Sequence, residues 1–202
     1  YMLDSPDDLL IEADNQGNDT VQSSVSYTLG NNLEALVLTG QAANGGGNGR
    51  DNQITGNDSR NQLRGEAGND LLNGGNNKDS LIGGAGNDRL IGGSGQDSLV
   101  GNQGQDMFVL TVARANSRDT IRDFSSKDDT IQISRSGFSR NLKLGKLRAE
   151  QFQLGSAAQT GSDRFIYNRG AGTLFFDADG VGGTTQVQIA RLSNKATLTA
   201  SD

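Results

Sequence analysis

Aspartate or asparagine recurs every nine residues along the middle of the chain, and oxygen ligands at a fixed spacing can bind a hard cation. These residues are Asn52, Asn61, Asp70, Asp79, Asp88, Asp97 and Asp106. Each is the sixth residue of a nonapeptide that opens with glycine, at Gly47, Gly56, Gly65, Gly74, Gly83, Gly92 and Gly101. The eighth residue of every unit is apolar, and the array runs without insertion to Val109. Only a fold that stacks copies of one unit requires so strict a period.

Two units carry the most regular form of the repeat, G-G-A-G-N-D-R-L-I (residues 83–91) and G-G-S-G-Q-D-S-L-V (residues 92–100). They match the pattern G-G-x-G-x-D-x-U-x position for position, and the chain here resembles the repeats-in-toxin (RTX) family. The resemblance implies an all-β fold, a right-handed parallel β-roll in which two nonapeptides complete one coil. It also implies that several calcium ions lie between stacked turns.

The residue types favour the same metal on physical grounds. Glycine permits the tight turn of each unit, and alternation along a short strand turns the eighth residue inward. One apolar side chain in nine makes a thin core. Stacked aspartates about 5 Å apart repel each other, and a divalent cation reverses the sign of that interaction. Calcium accepts six to eight oxygen ligands in flexible geometry. The sequence contains no His and no Cys, which removes the usual ligands of zinc and copper.

The family pattern assigns the second and fourth carbonyls and the Asp of one turn, with the first and third carbonyls and the Asp of the turn two units later. Carried over, it predicts three sites: Glu66, Gly68, Asp70 with Gly83, Ala85, Asp88; Gly75, Asn77, Asp79 with Gly92, Ser94, Asp97; and Gly84, Gly86, Asp88 with Gly101, Gln103, Asp106. Asp88 is therefore shared by two sites and Asp106 belongs to one. A fourth site, between the turns of Asn61 and Asp79, is predicted to be weak. The first two units, with Arg50 and Ser59 at the fourth position, are predicted to form a metal-poor end.

The flanks divide the chain into a lead-in (1–46), the seven-unit roll (47–109) and a C-terminal β capping module (110–202). The lead-in contains a degenerate nonapeptide, residues 14–22, with Asp19 in sixth place. Beyond the roll, D-T-I-R-D-F and D-D-T-I-Q-I resemble the segment that closes RTX rolls. Asp119, Asp123 and Asp129 there are candidates for a capping calcium; the alternative is an acidic hairpin on a solvated face.

Two further patterns lie in the capping module. Residues 164–180 predict two strands joined by a turn at 169–172. The D-x-D-G of Asp177 and Asp179 resembles part of an EF-hand loop, but position twelve is Gln188 instead of Glu, so a β-turn is favoured. Tyr1 to Asp4 resembles the end of an earlier unit, which predicts that the chain is a fragment of a longer protein.

Charge excludes some partners. Residues 1–109 carry five Lys/Arg against fifteen Asp/Glu, whereas residues 110–202 carry thirteen against nine, with nine basic residues between Arg114 and Arg148. Aromatic residues are few there and the sequence pI is near 4.7, so nucleic acid is not expected. No apolar stretch approaches the roughly 20 residues of a transmembrane helix. The basic segment has two interpretations, a solvated face or a surface for an anionic polysaccharide.

The repeats therefore predict a calcium-binding module whose folding is driven by the ions, and the resemblance implies that it belongs to an extracellular bacterial protein. The resemblance implies export by the type I secretion machinery, with the secretion signal in the C-terminal region. The alternative is an adhesion or glycan-binding module of a larger exoprotein. No enzyme activity is expected, because zinc-ligating histidine and a Ser–His pair are both missing and the clustered aspartates are assigned to metal.

Overall fold

The computed structural model describes residues 1–8, 10–13, 17–112, 116–138 and 142–202. Asp14, the first residue of the degenerate nonapeptide, and Arg114, the first of the basic segment, lie outside the described residues. Within the described ranges the regular secondary structure is almost entirely β-strand. The strands are β1 (Met2–Leu3), β2 (Thr20–Ser23), β3 (Tyr27–Thr28), β4 (Ala35–Leu38), β5 (Asn44–Gly46), β6 (Gln53–Thr55), β7 (Gln62–Ala67), β8 (Leu71–Asn76), β9 (Ser80–Ala85), β10 (Arg89–Ser94), β11 (Ser98–Gln103), β12 (Met107–Leu110), β13 (Asp119–Ile121), β14 (Thr130–Ile133), β15 (Phe152–Leu154), β16 (Phe165–Asn168), β17 (Thr173–Phe176) and β18 (Val187–Leu192). A short α-helix, α1, spans Arg135–Phe138, and a 3₁₀ turn spans Ala149–Gln151.

Successive strands alternate between two sheets. In the described residues one sheet has the order β1-β2-β4-β6-β8-β10-β12-β14 and the other β15-β16-β17-β18-β13-β11-β9-β7-β5-β3. Strands two apart in sequence pair in parallel, with Leu72 opposite Leu90 and Leu63 opposite Leu81. The register is therefore 18 residues, which is two nonapeptides per coil. This confirms the parallel β-roll, and the same two sheets continue on both sides of residues 47–109.

The eighth residue of each nonapeptide forms the core. Leu63, Leu72, Leu81, Leu90 and Leu99 are all fully buried, as are Ile54 and Phe108 at the two ends of the array. In the lead-in, Leu36 continues the column on one sheet and Gly45 takes the equivalent place on the other. A β-carbon built on Gly45 would lie 3.1 Å from Leu63 and 3.2 Å from Leu36. Neighbouring side chains already fill the interior of this coil, so no side chain is needed at residue 45.

The capping module closes the second sheet. Strands β16 and β17 pair antiparallel with Asn168 opposite Thr173, which confirms the predicted strand pair and its turn. Strand β18 then pairs with β17 on one side and, on the other, with β13, which continues the sheet of the roll. The module is thereby joined to the roll by a continuous hydrogen-bonded ladder. The D-x-D-G segment forms a local turn, in which Asp177 accepts hydrogen bonds from the N–H groups of Asp179 and Gly180.

Candidate metal sites

The turns of the roll stack along two edges. The first edge contains the turns 47–52, 65–70, 83–88 and 101–106; the second contains 56–61, 74–79 and 92–97. Each coil contributes one turn to each edge, because the coil is two nonapeptides long. The predicted partners in every site are consecutive turns of the same edge, and the structure stacks them as predicted.

One carboxylate oxygen of each sixth-position aspartate joins neighbouring coils. Oδ1 of Asp88 accepts a hydrogen bond of 2.8 Å from the backbone N–H of Asp70, one coil earlier, and Oδ1 of Asp106 accepts one of 2.9 Å from Asp88. On the second edge, Asp97 accepts the N–H of Asp79 at 2.8 Å. These bonds set the distance and orientation of the stacked carboxylates. They provide a hydrogen-bond partner for only one of the two oxygens of each carboxylate.

The other carboxylate oxygen has no hydrogen-bond partner. This holds for Oδ2 of Asp70, Asp79, Asp88, Asp97 and Asp106, whose residues are only 1–2% exposed. Buried carboxylate oxygens without partners are strongly unfavourable unless a proton or a cation compensates them. Burial accordingly raises the pKa of Asp70, Asp88 and Asp106 to about 6 and that of Asp79 to about 7, and it also raises the pKa of Asp97.

Backbone carbonyls converge on the same spaces. A β-carbon built on Gly74 would lie 2.5 Å from Oδ2 of Asp79 and 2.7 Å from the carbonyl oxygen of Gly92 in the next turn. The first glycine of a unit is therefore obligatory, because any side chain would fill the space into which these oxygens point. Gly65 and Gly83 stand in the same relation to their own aspartates, Asp70 and Asp88.

The second and fourth carbonyls point at the following turn. A β-carbon on Gly84 would clash with the carbonyl oxygen of Glu66, and one on Gly86 would clash with that of Gly68. On the first edge, two third-position carbonyls are already hydrogen-bonded: Ala85 accepts the N–H of Gly68 at 2.9 Å, and Gln103 accepts that of Gly86 at 2.8 Å. A carbonyl oxygen has two lone pairs, so one remains for a metal. Within the described residues no three acidic side chains form a metal-binding group. Each predicted site offers two carboxylates together with backbone carbonyls.

Backbone conformation distinguishes the Asp units from the Asn units. The second residue of every Asp unit has a positive φ, including the non-glycine residues Glu66 (φ 78°) and Asn102 (φ 71°). Outside glycine this conformation costs roughly 1–2 kcal/mol. The corresponding Asn48 and Asn57 do not adopt it. The backbone of the Asp turns thus adopts a conformation that orients their carbonyls. Packing of the hydrophobic core does not require the unfavourable positive φ at Glu66 and Asn102.

The two Asn units satisfy their own polar atoms. Oδ1 of Asn61 accepts the N–H of Asn57 at 2.8 Å, and its amide donates to the carbonyl of Ala42 at 2.9 Å. Asn52 makes the equivalent bonds. Arg50 adds a guanidinium 4.0 Å from the carboxylate of Glu34 in the preceding turn. At this end of the roll, amides and an arginine provide hydrogen-bond and charge partners for the polar groups.

The predicted capping residues are divided between the two edges. Asp119 accepts the N–H of Asp97 at 3.1 Å on the second edge. Asp129 accepts the N–H of Asp106 at 3.0 Å on the first edge, where Asp123 accepts that of Asn102 at 2.9 Å. Asp119 begins β13, whereas Asp123 lies two residues beyond the end of that strand, on the other edge, so the three do not surround one point. The three residues that were predicted to form one capping site therefore lie on two different edges.

Asp119 and Asp129 instead continue the two columns of stacked aspartates. The intervals are 22 and 23 residues instead of 18, because loops are inserted before each strand. The sequence period could not reveal this pairing. A signal was nevertheless present: in both segments an aspartate is followed by T-I, with Ile two residues on, as in the sixth and eighth positions of a unit. Burial and the charge of Asp97 raise the pKa of Asp119 to about 8.

A second ladder, on the surface of the first edge, was also missed. Fifth-position side chains accept hydrogen bonds from the backbone one coil later: Asp51 from Asn69 at 2.6 Å, Asn69 from Asn87 at 2.8 Å, and Asn87 from Gln105 at 2.7 Å. The second edge has Arg60, Lys78 and Gln96 at these positions. Asn87 thus has a structural role that the consensus alone does not explain.

Comparison with known families agrees with this geometry. Residues 46–81 and 74–108 match the model of the RTX calcium-binding nonapeptide repeat, which describes four copies. Residues 46–108 are RTX calcium-binding repeats. The match covers the segment with orphaned aspartate oxygens and begins at the Asn units. No curated protein matches the chain in sequence.

The RTX assignment and the stacked turns together make this segment a calcium-binding module. Asp70, Asp79, Asp88, Asp97 and Asp106, which fit calcium as oxygen donors, lie inside the matched residues. Asp119 and Asp129 lie beyond them. In the described part of the chain, no helix is long and apolar enough to cross a membrane.

Proposed function

We propose that the chain is a module whose folding is driven by calcium. The observation that carries the proposal is the set of five buried, unpartnered Oδ2 atoms at stacked turns. Without a cation, each must be protonated or must destabilise the roll. A bound calcium ion supplies positive charge between two carboxylates and completes the coordination of the converging carbonyls.

Five orphaned oxygens support five ions. Three are the predicted sites, in which Asp70 pairs with Asp88, Asp79 with Asp97, and Asp88 with Asp106. The other two join the capping module to the roll, through Asp97 with Asp119 and Asp106 with Asp129. Neighbouring sites on one edge share a carboxylate, so loss of one ion weakens the next. The site between Asn61 and Asp79 has an amide that is already hydrogen-bonded, and we expect no tight binding there.

The physiological role follows from linkage. Ligands that bind only the folded state stabilise it by RT ln(1 + [Ca²⁺]/Kd). Where free calcium is scarce, as in a cytosol, the chain stays unfolded; where calcium is plentiful, it folds. RTX proteins are typically secreted by bacteria, and an unfolded state suits export by a type I machinery. We therefore propose an extracellular location and a stabilising role, with no catalytic activity of this segment.

Circular dichroism of the full chain tests the proposal. We expect little strand signal in excess chelator, and a cooperative gain of strand signal with millimolar calcium. An equal concentration of magnesium should have a much smaller effect, since Mg²⁺ requires near-ideal octahedral geometry and keeps its water. A strand-rich spectrum in chelator at neutral pH that does not change with calcium would refute calcium-driven folding.

Binding of an anionic polysaccharide remains the competing prediction. It is tested separately at saturating calcium, where folding is complete. A module that serves folding alone shows no retention on a sulfated polysaccharide column at physiological ionic strength. Retention that disappears only when the basic residues after 114 are neutralised would favour the adhesion function.

A further inference from the structure

A cavity of about 700 Å³ lies within the capping module, beside the last strand of the roll, β12. We call it the cap cavity. Its walls include Ile131 and Ile133 of β14, Phe152 of β15, Phe165 of β16 and Leu198 near the end of the chain. Its volume is within the range of small-molecule sites, about 300–1,000 Å³. Met107 of β12, the last strand of the roll, completes the lining, so the cavity also depends on the contact between the capping module and the end of the roll.

The mouth of the cap cavity is cationic. The segment 142–148 reads L-K-L-G-K-L-R and forms part of the lining. Lys143 and Lys146 are exposed there, and Leu144 is 83% exposed between them. Asp202 is the one acidic residue in the described lining, and its carboxylate accepts hydrogen bonds from Thr199. The chain as a whole has a net charge of -6, so this cluster of cations runs against the overall charge.

An added peptide strand is not the favoured occupant. Strand β14 is the last strand of its sheet, but the outward N–H of Ile131 already donates to the carbonyl of Asp202 at 2.7 Å. Pairing with a further strand would break that bond. The apolar walls and cationic mouth instead match a molecule with an apolar body and one anionic group, which would place its body inside and its charge beside the lysines.

We propose that the cap cavity binds a small anionic amphiphile. The apolar body packs against the aliphatic and aromatic walls, and the anionic head contacts Lys143 and Lys146. This site is separate from the calcium sites, although the calcium-loaded fold holds its walls together. The head group carries the selectivity for anions, because the walls alone would accept a neutral molecule equally well.

A pair of fluorescent dyes tests the proposal on the full chain in saturating calcium. The anionic probe is 8-anilinonaphthalene-1-sulfonate, and the neutral probe is N-phenyl-1-naphthylamine, which lacks the sulfonate. We expect one site for the anionic dye. Lys143→Gln with Lys146→Gln should weaken the anionic dye by roughly three- to tenfold, the range for two exposed ion pairs, and leave the neutral dye unchanged. The matched control, Lys78→Gln with Lys127→Gln, changes two exposed lysines outside the cavity and should alter neither.

A second variant separates the cavity from the surface. Ala200→Phe places a ring in the cavity and should abolish binding of both dyes; Ser201→Trp serves if the first variant does not give the calcium-induced strand spectrum. Undiminished binding to both filled variants would overturn the proposal, as would equal loss of both dyes from the Lys143 and Lys146 variant. Phosphatidylglycerol vesicles provide a further test. If the vesicles capture the chain and its filled variants equally, and no dye binds, the lysines serve a membrane surface and the proposal is overturned.

Discussion

Replacement of Asp88 by asparagine should remove two calcium ions, whereas the same replacement of Asp70 should remove one. Asp88 stacks on Asp70 below and on Asp106 above, so its carboxylate belongs to two sites. Asp70 stacks on Asp88 above, but its other neighbour is Asn52. The side-chain amide of Asn52 already donates to the carbonyl of Leu33 in the preceding coil, and its oxygen accepts the N–H of Asn48. The substitution preserves shape and removes one negative charge in each case.

The magnitude follows from linkage. At a free calcium concentration of about 100 times Kd, each ion stabilises the fold by about 2.7 kcal/mol. Asp88→Asn should therefore lower the free energy of unfolding by about 5 kcal/mol in calcium, and Asp70→Asn by about half of that. In chelator the order should vanish, because no ion is then lost. Titration calorimetry gives the stoichiometry, and urea unfolding followed by circular dichroism gives the stability.

Asp58→Asn is the matched control. Asp58 is exposed and accepts one hydrogen bond from the amide of Asn76, outside every proposed site. It should leave both the stoichiometry and the stability in calcium within error of the parent chain. Equal losses from Asp70→Asn and Asp88→Asn would show that aspartates are not shared between consecutive sites, and the two-column arrangement of ions would be wrong.

Four further outcomes are expected. The pKa values of the buried aspartates are raised to about 6 to 7. The metal-free fold is therefore stabilised by their protonation below the unfolded pKa of 3.8 and loses that stability as the pH rises through 6 to 7. Strand content in chelator should be higher at pH 5 than at pH 8, and a reversed order would contradict the burial of unpaired carboxyls. Calcium affinity should fall below about pH 6, with proton uptake on calcium release measurable in buffers of different ionisation enthalpy. Gly83→Ala should abolish calcium binding at the sites of Asp88, because the new methyl group meets the carboxylate. Gly49→Ala should not, because the space around Gly49 is open. Equal midpoints of calcium-induced folding for the two variants would refute the steric argument. Asp119→Asn should remove one ion and loosen the capping module without altering the sites on the first edge. Proteolysis after residue 110 with calcium present should detect the loosening. An unchanged calcium stoichiometry would show that no ion joins the capping module to the roll through Asp119.

Much of the roll was predictable because three positions in each unit carry the signal. Glycine first, aspartate sixth and leucine eighth fix the turn, the ligand and the core, and the 18-residue register follows once two units form a coil. The turn pairs of the three main sites are stacked as the pattern predicts. Glu66 shows the limit of composition: nothing in the residue type indicates a left-handed conformation, and the neighbouring coils impose it.

The closing turns were not predictable from the period, because insertions break it. Asp119 and Asp129 resume the two columns after intervals of 22 and 23 residues, and sequence spacing suggested one shared site. Which edge each aspartate joins depends on how the inserted loops pack. The cap cavity likewise arises from residues far apart in the chain, such as Ile131 and Phe165, whose proximity depends on β18 pairing with β13.

The two-unit coil makes the length of the array a control of rotational phase. Consecutive coils are one strand spacing apart, about 4.8 Å, and each nonapeptide covers half of a circuit around the axis. Loss of two nonapeptides would bring the capping module about 4.8 Å nearer to the lead-in with its orientation retained. Loss of one would turn the capping module, with its cavity, by about half a circuit relative to the lead-in, although every local stacking contact could re-form. Odd and even numbers of repeats thus present the same cap on opposite sides of the molecule.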